Sequence, residues 1–155
     1  MMGKIVQLNV SDGGVPKYPI TTAMVTEKGL TGDRQANLKY HGGPDRAVCL
    51  WSQEIIATLQ AAGHPIESGS AGENITISGL DWATLCPGRR LQLGPTVQLE
   101  ITDYAAPCRQ NARWFSDRRY SRMSQNHYPG QSRLYARVLQ SGQIYPGDTV
   151  TMVRT

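Results

Sequence analysis

The feature that most constrains this chain is a series of short apolar and polar alternations, each cut off by a turn signal before it can lengthen. The alternating positions are Val6, Leu8 and Val10; Ile75 and Ile77; Leu91 and Leu93; Val97, Leu99 and Ile101; Leu134, Ala136 and Val138; and Val150 with Met152. A period of two puts every second side chain on one face of an extended strand, so these runs predict strands with one face turned to a core. The stretches "SGL", "LGP" and "QSGQ", and the Pro-Gly pairs ahead of "RRLQL" and "DTVTM", divide them with residues that favour turns.

Helical patterning is scarce by comparison. Ser52 is placed to cap a helix whose stripe is Ile55, Ile56, Leu59 and Ala62, and Gly63 with Pro65 ends it. A second helix is expected from about Pro107 to Met123. Many short strands with few helices favour an antiparallel barrel or a sandwich carrying helical insertions, and the barrel is the expectation here. The 16 glycines and nine prolines are spread along the whole 155 residues, so no linker divides the chain and one domain over residues 1–155 is expected.

Composition removes several function classes. Three cysteines form an odd set without a CxxC pair, which argues against a disulfide framework or a ribbon-type zinc site. No stretch approaches the roughly 18 apolar residues of a spanning helix, and "MMGKIVQLNVSDGG" lacks a secretory apolar region. A cytoplasmic protein without a membrane partner is the expectation. Formal charge is +4 but uneven: residues 104–137 hold seven arginines against Asp117 alone, a net +6 that leaves −2 elsewhere. Such a cluster suits a phosphate-bearing partner, a small anionic cofactor or nucleic acid, and equally a solvated basic face.

Four stretches carry residue types that a core does not need. In "GGVPK", Gly13 and Gly14 loosen the backbone and Lys17 offers a point charge beside Pro16. The stretch "KGLTGDRQANLKYHGGPDRAV" packs Asp33, Arg34, His41, Asp45 and Arg46 among glycines that include Gly42 and Gly43, so "HGGPD" can form an amide nest for an anion or simply a braced loop. In "SAGENITISGL", Gly72, Glu73 and Asn74 lead straight into a strand; a carboxylate beside an amide can read the donor edge of a heterocycle or close a turn. The fourth stretch is "YAAPCRQNARWF". With Pro107 at a helical first position, Cys108 would lie in the first turn, where amide dipoles and Arg109 favour a thiolate, the form that binds metal or attacks; the plainer reading is a half-buried thiol. Cys49, within "AVCLW", and Cys86, before a Pro-Gly turn, read as structural.

Taken in order, "GGVPK", "GLTGDRQANLKYHGGPDRAV", "AGENITISGL", "APC" and "YARVLQSGQIYPGD" resemble the MOSC domain family, named for the C-terminal domain of molybdenum cofactor sulfurases, in its stand-alone bacterial form. The likeness runs from about Gly13 to Val153. It implies a mostly β fold with helical insertions (α+β), similar to the pyruvate-kinase β-barrel domain, that binds molybdenum cofactor. The family's cysteine falls on Cys108, which in relatives that reduce N-hydroxylated bases and amidoximes ligates molybdenum and in the sulfurase branch is proposed to carry sulfur. Soft thiolate suits molybdenum bonded to dithiolene sulfur, and the cofactor's phosphate suits basic residues; pyridoxal phosphate is not expected. Departures from longer relatives are expected at both ends: no amino-terminal β-barrel partner domain, as in the mitochondrial amidoxime-reducing enzymes, and no carboxy-terminal extension.

The resemblance implies a reductase in which Cys108 holds the metal, His41 and Asp33 shape the catalytic pocket, and Lys17, Arg34, Arg46 and Arg109 meet the cofactor's anionic end. Gly42, Gly43, Asp45, Gly72, Glu73 and Asn74 complete the expected cofactor-binding set. No iron–sulfur or flavin motif occurs, so reduction of a small N-hydroxylated substrate would need a separate electron-donor protein. A non-catalytic carrier of cofactor or sulfur would use the same thiol. A single-stranded nucleic-acid binder, with Trp114, Phe115 and Tyr120 stacking on bases, is disfavoured because it leaves the glycine-rich blocks without a purpose.

Overall fold

A computed structural model of the protein describes residues 2–34 and 43–154. Its strands are β1 (Met2–Val10), β2 (Tyr18–Ile20), β3 (Ala23–Thr26), β4 (Gly29–Leu30), β5 (Val48–Ser52), β6 (Ile75–Ser78), β7 (Arg90–Leu93), β8 (Val97–Tyr104), β9 (Leu134–Gln140), β10 (Gly142–Ile144) and β11 (Thr149–Val153). The order β11-β7-β8-β9-β5-β6-β1 closes on itself through a β1–β11 ladder, so seven strands form a barrel without free edges, and β2 extends the wall from β1. Strands β10, β3 and β4 form a separate small sheet. The barrel is the architecture that the alternation pattern predicts, and each expected run lies within one of its strands.

The inward face is apolar throughout: Leu91, Leu93, Val97, Leu99, Ile101, Leu134, Ala136 and Val150 are all buried. The pair β5 and β6 is parallel, which requires a crossover, and helix α1 (Gln53–Ala61) supplies it. Ser52 caps α1 by accepting from the Ile55 amide at 3.2 Å, and Ile55 and Ile56 are its buried face. Ala62, expected on that stripe, is exposed just past the helix end. Every residue of β5 is buried, which explains why "VCLWS" shows no alternation.

Two expectations are corrected. Val6 does not share the inward face with Leu8, because a bulge between Ile5 and Gln7 inserts one residue into β1 and turns Ile5 and Leu8 inward while Val6 is 40% exposed. Asn9, next to the inward-facing Leu8, is fully buried although it is polar. The helix expected over 107–123 is instead two 3-10 turns, Arg109–Trp114 and Tyr120–Met123. Between them Asp117 accepts from the Arg119 amide and from the Arg122 guanidinium, a local side-chain alternative to helical bonding, and Arg118 takes a left-handed φ of 63°.

The stretch that leads from this segment into β9 is held by two indole donors. Trp51 Nε1 donates to the Gln131 carbonyl at 3.0 Å and Trp82 Nε1 to that of Ser132 at 2.7 Å. Phe115 and Met123 are buried in the core, and Phe115 meets the His64 ring edge-on at 5.3 Å.

Candidate functional site

Buried Asn9 starts a polar network that joins β1 to the turn ahead of β6. Asn9 donates to the Glu73 carbonyl at 3.2 Å, and its amide bonds the Asn74 carbonyl at 2.7 Å. Asn74 in turn clasps β5: its amide donates to the Cys49 carbonyl at 2.8 Å, while its Oδ1 accepts from the Cys49 amide at 2.9 Å. Asn74 Nδ2 then reaches Asp33 Oδ2 at 2.9 Å.

Asp33 is the centre of the network. Its Oδ1 accepts from Lys17 Nζ at 2.6 Å and from the Ser11 amide at 3.0 Å. Both charged side chains are buried, at 7% and 4% exposure, so the pair survives only because each charge has a partner. Lys17 is therefore not the free point charge that the sequence suggests: Asp33, sixteen residues on, takes up its charge. Gly69 makes room for this loop: its φ is 88° and a Cβ would meet the Lys17 carbonyl, while Lys17 N bonds Gly69 O at 2.8 Å. Gly72, at φ 98°, lets the same turn pass Val15, which a Cβ would meet at 2.8 Å.

Glu73 and Arg133 form a second, less complete arrangement. Glu73 is fully buried; Oε2 accepts from the Thr76 hydroxyl at 3.3 Å, and Oε1 has no partner among the described residues. Burial pushes its carboxyl up to about 7, against the lowering influence of Gly69 and its own amide and of the Arg133 charge. Arg133, 5% exposed, donates to the Ala71 carbonyl at 2.9 Å and the Ala106 carbonyl at 3.1 Å, and its Nε is without a partner among the described residues. Arg133 thus joins the Gly72–Glu73–Asn74 turn to the loop that carries Cys108. Arg113 makes a parallel link, Nη2 to the Val15 carbonyl at 2.6 Å, tying that loop to "GGVPK".

Cys108 stands in extended backbone, φ −114°, ahead of the six-residue 3-10 turn and not inside a helical first turn. The dipole expected to support its thiolate is absent, because the segment never forms the α-helix that would align one. The thiol is half-buried, and Asn111 Nδ2 approaches its sulfur at 3.9 Å. Behind it lies a small apolar group of Cys49, Ala105 and Tyr135, in which burial raises Cys49 to about 11 and Tyr135 to about 12. Arg46 lies over the Tyr135 ring at 5.3 Å.

The other expected site residues are more dispersed. Arg34 is exposed, 4.0 Å from an exposed Asp12, and Arg109 is exposed beside Cys108. Gly43, with φ 92°, precedes the 3-10 turn Pro44–Arg46; Asp45 faces Arg137 at 3.5 Å, and its carbonyl accepts from Thr102. His41 and Gly42 lie outside the described residues. The structure therefore joins Lys17, Asp33, Glu73 and Asn74 in one network, bridges it to the Cys108 loop, and leaves Arg34 at the surface.

Sequence reasoning passed over Arg133, Asn9 and Tyr135. Arg133 had a signal: an arginine directly before a run whose next three residues are all buried cannot easily reach water. The aromatic stacking set of the nucleic-acid reading does not survive, since Phe115 is core and Trp114 bonds Asn111 and lies under Arg113.

A molybdopterin-type group can be judged against these residues. Buried Glu73 Oε1 and Arg133 Nε call for partners, and such a group offers both ring N–H donors and anionic oxygens. Among the described residues no group of three or more His, Cys, Asp or Glu could hold a metal ion by itself. The residues fit the group.

The family model described as MOSC domain matches residues 37–151. The uncharacterized protein YflK of Bacillus subtilis is 31% identical over 143 residues, 90% of this chain and 63% of that protein. A protein of Gibberella moniliformis named Reductase is 29% identical over 130 residues, 81% of this chain and 22% of its own length. This chain thus spans less than two thirds of either relative. The crystal structure of YiiM from Escherichia coli matches the fold with a TM-score of 0.72 at 22% identity, covering 100% of this chain and 71% of that one. Among the described residues no helix is long and apolar enough to cross a membrane.

Proposed function

Because the chain belongs to the MOSC domain family, we propose that it binds molybdenum cofactor between the Glu73 turn and the Cys108 loop and reduces N-hydroxylated small molecules. The observation that carries this reading is Arg133, whose two bonds to the Ala71 and Ala106 carbonyls hold those loops together while Arg133 Nε and Glu73 Oε1 lack partners. Arg133 offers the positive charge for the cofactor's anionic part, and Cys108 the thiolate for the metal. When bound, the cofactor supplies two-electron chemistry at molybdenum.

The chain's own groups do the rest. Reduction of R–NH–OH breaks the N–O bond and consumes two electrons and two protons, giving R–NH2 and water; the electrons come from a separate donor protein. Glu73, raised to about 7 by burial, exchanges its proton near neutral pH and can pass one on from Oε1, since Oε2 is engaged by Thr76. Asp33, Lys17 and Asn74 act as scaffold, fixing the turn from which Glu73 projects.

The test is turnover of an amidoxime to its amidine by the cofactor-loaded protein, with reduced viologen replacing the donor protein. Product formation that depends on Cys108 is the expected result. Stoichiometric cofactor with no turnover points instead to a carrier of cofactor or sulfur.

A further inference from the structure

Beside the Cys108 loop lies a groove of about 490 Å³, bounded by Pro107 and the turn Arg118–Ser121, with Ser124 and His127 completing the wall. Its cations differ from every other arginine of the basic segment that the structure describes as engaged. Arg122 is clamped by Asp117, Arg137 by Glu100, Arg133 by two carbonyls, and Arg113 by a carbonyl and the Trp114 ring. The Arg118 and Arg119 guanidinium groups have no partner among the described residues, and the one nearby carboxylate, Asp117, is already held by Arg122.

A neighbouring groove of about 420 Å³ shares His127, but its arginine is the clamped Arg122, so of the two grooves only the first is lined by guanidinium groups without a partner among the described residues. His127 Nδ1 lies 3.1 Å from the hydroxyl of nearly buried Ser124, which leaves its Nε2 unpartnered among the described residues. Arg118 also holds a backbone φ of 63°, a conformation that a side chain with a Cβ adopts at a cost and that glycine would adopt freely. A large cation in that position gains nothing for the fold, which directs attention to what its side chain meets.

We propose that this groove binds the phosphate monoester of a small-molecule substrate acted on at the adjacent Cys108. Two guanidinium groups match the near-dianionic charge of a phosphate monoester, where a carboxylate would need one, and the Ser121, Ser124 and Tyr120 hydroxyls and His127 supply further polar contacts. A polyanion such as single-stranded nucleic acid fits less well: Arg118 and Arg119 line one short groove whose wall offers Tyr120 but no second Phe, Tyr or Trp ring on which successive bases could stack. The word substrate rests on the reductase reading; the phosphate site does not.

Three measurements separate the two. In the full-length, cofactor-free chain, phenyl phosphate titrated by NMR should bind, and R118A/R119A should weaken it about tenfold or more, with Arg90→Ala on the barrel wall as an unaffected control. Arg118→Gly relieves the backbone, so it should melt higher than the parent yet bind phenyl phosphate more weakly, which excludes misfolding as the cause. In the cofactor-loaded protein, an amidoxime bearing a phosphate monoester should show a KM about tenfold or more below its phosphate-free analogue, an advantage that R118A/R119A abolishes with kcat unchanged. Phosphate binding lost in R118A/R119A without turnover of any N-hydroxylated compound defeats the reductase reading and keeps the site. Unchanged phenyl phosphate binding in the double variant, or a short single strand that binds more tightly and with steep salt dependence, overturns the proposal.

Discussion

Two buried charge arrangements lie side by side at the end of this barrel, and they are built differently. At Asp33 every charge is answered: Lys17, the Ser11 amide and Asn74 use both carboxylate oxygens. At Glu73 and Arg133 each side chain has partners yet retains one polar atom without one. Both arrangements meet at Asn9 and Asn74, so the difference is not one of location. A closed network fixes a shape; an open one beside it leaves an affinity unsatisfied, and the cheapest explanation of a buried unsatisfied group is a missing partner.

The largest expected effect breaks the closed side. Asp33→Ala strands the Lys17 charge in the interior and should cost about 3–5 kcal/mol of stability by denaturant unfolding, because one partner of a buried pair is removed. A loss below about 1 kcal/mol would mean that Lys17 reaches water, and the contrast between the two arrangements would collapse.

The open side has a pH signature. Glu73 titrates near 7 in the fold against 4.5 when unfolded, so between these values the folded state holds a proton that the unfolded state has lost. Stability from this group is fully present below about pH 4.5, declines as pH rises through 7, and is flat above. At about 1.4 kcal/mol per pKa unit the decline is about 3 kcal/mol, and Glu73→Gln should remove it. Parallel stability curves for the parent and Glu73→Gln across that window would show Glu73 to be satisfied after all.

Arg133→Met keeps bulk but drops both carbonyl bonds. A cost of about 1.5–3 kcal/mol is expected in cofactor-free protein, with protease sensitivity rising in the Cys108 loop. An undisturbed loop would remove Arg133 as the link. The smallest effect belongs to Cys108→Ser, within about 0.5 kcal/mol of the parent, since the thiol is half-buried with one weak contact. In the folded parent protein Cys49, raised to about 11 by burial, should label more slowly than Cys108, and faster labelling of Cys49 would reverse the roles.

How much of this was legible in the sequence follows the range of the interactions. The barrel was, because alternation is local and strands such as Val97–Tyr104 carry their inward face in their own pattern. The Ser52 cap was, since donor and acceptor are three residues apart. The bulge in β1 was not: it falls between Ile5 and Gln7 in the ladder with β6, a strand remote in sequence. The stretch 107–123 read as helix because the side-chain turn at Asp117 and the burial of Phe115 are decided by the fold. Within the candidate site, Glu73 and Asn74 were visible as unusual residues opening a strand. Their partners were not, since Asp33 meets Asn74 across 41 positions and Arg133 meets Ala71 across 62.

The central claim is that the open arrangement and Cys108 together hold molybdenum cofactor. Molybdenum and pterin should therefore be quantified per chain in protein purified from a host that makes the cofactor, for the parent, Cys108→Ser and Arg133→Met. The account predicts near-equimolar molybdenum and pterin in the parent, retained pterin with an altered molybdenum spectrum in Cys108→Ser, and loss of both in Arg133→Met. A parent chain that is folded and carries neither, or a Cys108→Ser protein whose molybdenum content and spectrum equal the parent's, would contradict it.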